Sequence, residues 1–196
     1  MILYQFYSLF AAVLPLFYIA VCAKRLIAEQ IDNGSFSYVM SAPIKRITVT
    51  VTQAVFLIVS VALMYLTIFL VGLITFAVWG EVIEIGSFFM LNFGSFLLNL
   101  AISGIAFFSS CLFNSSAKAA ALGIGMPMAF FILYIISAFF GSNELLANCK
   151  YLTINSLYDI MAGSSDVVWE LGILAAMAVV LFAVGGYIFE KKDLPL

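Results

Sequence analysis

Side chains able to do chemistry are few in this chain, and their types argue against an enzyme. Histidine is absent from the 196 residues, which removes the commonest general base and metal ligand. The three cysteines, Cys22, Cys111 and Cys149, are scattered along the chain and fall on different sides of a membrane reading, so neither a zinc site nor a disulfide is expected. No G-x-x-x-x-G-K-[ST] loop occurs that could cradle nucleotide phosphates on backbone amides. Serines are frequent, but no apolar run carries Lys, Asp or Glu at its centre to act as a base. The expectation is a protein with no catalytic residue, no metal site and no cofactor of its own.

What remains inside the apolar runs is a set of neutral polar residues. Asn92, Ser95, Asn99, Ser103, Ala106 and Ser110 recur at three or four residue steps and form one small, polar face of a helix. Gln53, Ser60 and Thr67 fall seven apart and give a second polar line, the spacing of left-handed helix packing. In hydrocarbon such residues face protein or a water-filled path. One reading is a path lining or subunit interface, and the other is ordinary helix packing with hydroxyls bonded to backbone.

The elements that must position these residues follow from composition. With 65% hydrophobic residues, 9% charged residues and a mean hydropathy of +1.20, the chain has more apolar surface than one soluble core of this length hides. A bilayer solvates it instead. About 20 apolar residues in helical form cross a bilayer, and five runs qualify: 1–23, 51–79, 86–113, 118–140 and 167–189. The predicted fold is therefore an all-α integral membrane protein, a single domain with five transmembrane helices. Alternating segments of the barrel kind are missing from the sequence. The first run has no basic residues ahead of it and no small-residue cleavage pattern, so it does not read as a signal peptide.

Charge placement gives orientation. Lys24, Arg25, Lys45, Arg46, Lys118, Lys191 and Lys192 fall on one side of the five-span scheme and only Lys150 on the other. Basic residues favour the cytoplasm, so the loop 24–50 and the C-terminus are expected there, with Met1 outside. The sequons at Asn33 and Asn114 are then on the cytoplasmic side and read as chance. With so few charges, no nucleic-acid partner is expected; the lipid bilayer is.

Within the loop, Ile27, Ile31 and Tyr38, with Phe36, Val39 and Met40, give an apolar side to a short interfacial helix, and Glu29, Gln30, Asp32 and Asn33 give a wet one. A plain re-entry loop is the alternative. Ser41, Ala42 and Pro43 end that helix and start the next. In the fourth run, Ala117, Ala121 and Gly125 form a small-residue ladder that predicts close helix contact. Pro127 predicts a bend near Gly123, and Pro15 should act likewise in the first run. The outer loop 141–166 is too long for a simple turn. Ile154, Leu157, Tyr158 and Met161 predict a short amphipathic helix in it, with Asn155, Ser156 and Asp159 on the wet face.

Glu29 followed by "DNGSFSYVMSAPIKR" resembles the cytoplasmic-loop pattern of the permease subunits of type-2 ATP-binding-cassette exporters, and the ending "VGGYIFEKKDLPL" is similar to that family's Phe-x-basic-Asp-Leu tail. The resemblance covers nearly the whole chain. It implies that Glu29, Gly34, Ser41, Pro43 and Arg46 occupy the coupling element that docks on separate ATPase subunits, where ATP and Mg are bound, and that a second permease copy or a related permease completes the assembly. It also implies a bacterial inner membrane and short outer helices that lid the exit of the path. Two departures stand out. The family has six spans, so either the start is truncated or this member lacks the first span. Ser37 stands where many relatives carry an acid. The function expected from the resemblance is ATP-driven export of a lipophilic or amphipathic molecule; the alternative is a non-transporting anchor or regulatory subunit of an ATPase or sensor complex.

Overall fold

Helix is the only regular structure among the described residues, and it follows from runs of Leu, Ile, Val, Phe and Ala with Gly and Pro held to a few positions. The computed structural model of the chain describes residues 12–35, 45–79, 85–139, 153–155 and 167–192. In chain order the helices are α1 (Ala12–Ala23), which passes through a π-turn (Lys24–Ala28) into α2 (Glu29–Asp32), then α3 (Arg46–Trp79), α4 (Ile85–Leu112), α5 (Ser116–Gly123), α6 (Gly125–Phe139) and α7 (Val167–Lys191). Four stretches among them have the length and apolarity to cross a membrane: Arg46–Val78, Ile85–Leu112, Ser116–Ser137 and Val168–Lys191. The first predicted run is described from Ala12 onward, so its full length lies outside these residues.

The first helix departs from the expected pattern. A span ending at 23 and a separate interfacial helix were the reading of the polar interval, yet helical backbone runs without a break from Ala12 to Asp32. The reason is local: no Gly or Pro lies between Leu16 and Asp32 to stop it. The widened turn, closed by the Glu29 amide donating to the Lys24 carbonyl, shifts the helix face so that Ile27 and Ala28 are both fully buried. Phe36, Tyr38, Val39, Met40, Ser41 and Pro43 lie outside the described residues.

The helix of the fourth run is interrupted where the bend is predicted, and the cause is visible. Pro127 has no amide hydrogen, so the Gly123 carbonyl four residues earlier receives no ladder bond from it. The helix is interrupted at Ile124, whose amide still bonds Ala120 at 2.9 Å and whose carbonyl accepts from Met128 at 3.1 Å. The small-residue ladder behaves differently from expectation. Ala117, Ala121 and Gly125 point outward, and Ala119 and Gly123 are the buried pair against α4.

The centre of the bundle is α4, which contacts α1, the π-turn, α3, α5 and α7. Of its apolar window 78% is buried, against 17 to 22% for the other three spans. Glycines set how closely the helices approach it. A Cβ on Gly104 would lie 3.1 Å from Leu181 Cβ, and one on Gly185 would lie 3.2 Å from the Phe108 Cα, so α4 and α7 meet nearly backbone to backbone. A core of Leu16, Ile19, Leu57, Val61, Leu97, Leu98, Phe107, Leu174 and Phe189 fills the space between helices. The outward faces carry Val55, Leu63, Leu70, Ile74, Val168, Val179 and Val180, a surface that suits hydrocarbon.

Candidate functional site

The polar face of α4 points into the protein. Ser95, Asn99 and Ser103 are fully buried, and Asn92 and Ser110 nearly so. Their bonds explain how α4 tolerates them: the Asn99 amide donates to the Tyr65 hydroxyl on α3 at 2.7 Å and to the Ser95 carbonyl at 3.2 Å, while Ser103 donates to the Leu100 carbonyl at 2.7 Å. Asn99 Oδ1 is buried and has no hydrogen-bond partner among the described residues. Within one copy of the chain this face therefore packs helices together. The second line divides: Gln53 and Ser60 are half-buried and Thr67 is exposed. Ser60 and Thr67 return their hydroxyls to the backbone, to Leu57 and Leu63, each at 2.8 Å. The Tyr18 hydroxyl on α1 also hydrogen-bonds Ser60.

A denser set of contacts lies at one end of the bundle, where the helices' basic residues collect. Every Lys and Arg among the described residues belongs to it: Lys24, Arg25, Lys45, Arg46, Lys118, Lys191 and Lys192. Hydrogen bonds between elements prove that these helix ends are neighbours. Ser110 near the end of α4 donates to the Ala23 carbonyl at 2.7 Å, where the first helix widens into its π-turn. Ser109 donates to the Ala119 carbonyl of α5 at 2.6 Å. Lys192 reaches across to the last two residues of α4, donating to the Cys111 and Leu112 carbonyls at 3.0 and 2.7 Å. A cation on terminal carbonyls satisfies helix-end acceptors and complements the negative end of the dipole. Burial lowers the pKa of this ammonium from its ordinary value.

Of the residues assigned to the coupling loop, Glu29, Gly34 and Arg46 occupy the same end. Glu29 is half-buried in α2. Gly34 stops that helix: its φ is +69°, its amide donates to the Ile31 carbonyl at 3.0 Å, and the Ser35 hydroxyl takes the Gln30 carbonyl at 3.1 Å. Glycine is preferred there because a Cβ is strained at positive φ, so the Gly of the loop pattern has a local conformational cause. Arg46 turns inward and donates to the Lys192 carbonyl at 3.1 Å. Ser41 and Pro43 lie outside the described residues.

Asp32 makes a contact between helices that the sequence alone did not disclose. Its carboxylate accepts from the Ser116 hydroxyl at 2.6 Å and from the Ser116 amide at 3.1 Å, and so caps the start of α5 from another helix. The Ser116 bonds, with a smaller contribution from Lys24, hold the carboxyl below its ordinary pKa. The Ser115-Ser116 pair before an Ala-rich stretch is a readable helix start, but a capping partner 84 residues away is not readable from one sequence. At the other end of the molecule, Thr153 and Asn155 are buried and Ile154 packs on the core. Asn155 is therefore not on the wet face predicted for it; the rest of that predicted helix, Leu157, Tyr158 and Met161 included, lies outside the described residues.

Long apolar helices around a buried central one, with cations gathered at one end, define a multi-pass helical membrane protein. The model of the ABC-2 family transporter proteins matches residues 1–194, and the chain belongs to that family. No curated protein and no solved structure matches it. As a member, it is a permease-type membrane component of an ABC transporter.

Proposed function

We propose that this chain is the membrane permease subunit of an ATP-driven exporter and that its basic end is the cytoplasmic face on which separate ATPase subunits dock. The observation that carries this is the gathering of all described cations with both flanks of the 28–46 interval, Glu29 to Gly34 on one side and Arg46 on the other, at a single end of the bundle. Excess Lys and Arg mark the cytoplasmic side. Family membership supports an ATPase partner, which would bind ATP and Mg, and a second permease copy or a related permease beside this one. The mechanism involves no covalent chemistry in this chain. ATP-driven closure of the ATPases pushes the interval around residues 28–46, the helix ends fastened there tilt, and cargo moves from the inner side or inner leaflet outward. The paucity of charge within the spans suits lipophilic or amphipathic cargo.

The test is to reconstitute the co-purified complex in nanodiscs and compare its ATP hydrolysis with that of Glu29→Ala and Pro43→Ala variants. Either variant is expected to lower the turnover of the assembled complex several-fold while the isolated ATPase is unaffected. Unchanged turnover in both would remove the coupling role of this interval.

A further inference from the structure

Asp32 and Arg46 stand on either side of the interval 36–44 in sequence, and both are tied to the same short connector, Asp32 directly and Arg46 through Lys192. Upstream, Asp32 holds Ser116, the first residue after Phe113, Asn114 and Ser115. Downstream, Arg46 holds the Lys192 carbonyl, and the Lys192 ammonium holds Leu112, the last residue before that tripeptide. The connector joins α4, the buried axis of the bundle, to α5. Asn114 between the two anchor points is exposed. Ser109 ties the α4 side of the hairpin to Ala119 on the α5 side.

From these contacts we infer that the 112–116 connector is the point through which the docking end drives the bundle, and that Asp32 and Lys192 are positioning residues for transport. This rests on the proposed function and deepens it. A load arriving between residues 32 and 46 reaches the connector from both sides, through Asp32 at the start of α5 and through Arg46 and Lys192 at the end of α4. Asp32 is the replaceable member of the pair, because its side chain is on the surface and its removal uncovers no buried charge. Coupling through such a contact needs two arrangements of the hairpin that nucleotide state selects.

The experiment labels Asn114→Cys with an environment-sensitive fluorophore in the co-purified complex in nanodiscs. Cys22 and Cys149 are replaced by alanine, and Cys111 is fully buried. Addition of ATP, Mg and vanadate is expected to shift the emission of the label. Asp32→Asn and Ser116→Ala are each expected to remove more than half of the shift, and the double variant no more than either alone, with ATP hydrolysis by the isolated ATPase unchanged. Lys118→Gln, an exposed neighbour outside the contact, keeps the full shift. A full shift in Asp32→Asn, in a complex that assembles and turns over, overturns the inference and leaves the proposed function standing. Failure of the unmodified chain to assemble with any ATPase overturns both.

Discussion

Asp32 shows how a single surface carboxylate serves two helices. It ends the first helical stretch and caps α5, and the Ser116 hydroxyl and amide hold its pKa below the ordinary 3.8. A carboxyl whose folded pKa is depressed adds stability that is fully present above its unfolded pKa and is lost as pH falls through the folded value. Protection of the Ser116 amide from hydrogen exchange, corrected for the intrinsic rate, is therefore expected to be greater in the native chain than in Asp32→Asn at neutral pH. The difference should persist down to about pH 4 and vanish in stronger acid. An equal difference at every pH would mean that the contact does not depend on the charge. At this scale the sequence disclosed residue types but not partners. Glu29, Gly34 and Arg46 were legible as a motif through the resemblance, and the structure supplies a physical reason for two of them: the positive φ of Gly34, which is local, and the bond of Arg46 to the distant Lys192 carbonyl. The partners of Asp32 and Lys192 are 80 or more residues away, and no local signal marks such pairs.

Elements were more legible than residues, because spans are written in continuous apolar length. The spans predicted at 86–113 and 167–189 agree with α4 and α7 to within about two residues, the usual uncertainty of helix ends. The interruption at Ile124 follows from Pro127 by the geometry of one missing amide. What failed was facing. Ala117, Ala121 and Gly125 have the spacing of a packing ladder, but spacing alone does not say which of several small faces of a helix meets a neighbour, and the contact uses Ala119 and Gly123. The continuation of the first helix through a π-turn was likewise hidden, since polarity signalled a loop where no residue breaks a helix. Packing at Gly123 gives a sharp expectation. A Cβ there would lie 2.8 Å from Ser109 Oγ and 3.1 Å from the Ala106 Cα, so Gly123→Ala must move backbone or break the Ser109 to Ala119 bond. Overpacking of this kind costs about 1–3 kcal/mol, and a lower melting temperature in detergent should report it. Gly86→Ala and Gly172→Ala meet nothing within 4 Å and should melt no lower than the native chain. Equal melting of all three would show that α4 and α5 are not in the close contact described.

For the whole molecule, the account joins a membrane bundle to an energy source outside it. The bundle is asymmetric from end to end. Its basic end is bound together by side-chain bonds between α1, α2, α3, α4, α5 and the end of α7, and its apolar middle is held by core packing with the hydrogen bonds of Tyr65 with Asn99 and of Tyr18 with Ser60 among the described residues. Attachment at the basic end suits the proposed push from that end. The most direct measurement is affinity purification of the chain from its native membrane in mild detergent, after crosslinking from Asn33→Cys and Lys45→Cys, with mass spectrometry of what co-purifies. The account predicts a protein bearing a G-x-x-x-x-G-K-[ST] loop, crosslinked to the chain at these positions. Recovery of the chain alone, or of an ATPase crosslinked only from the opposite end, would contradict it.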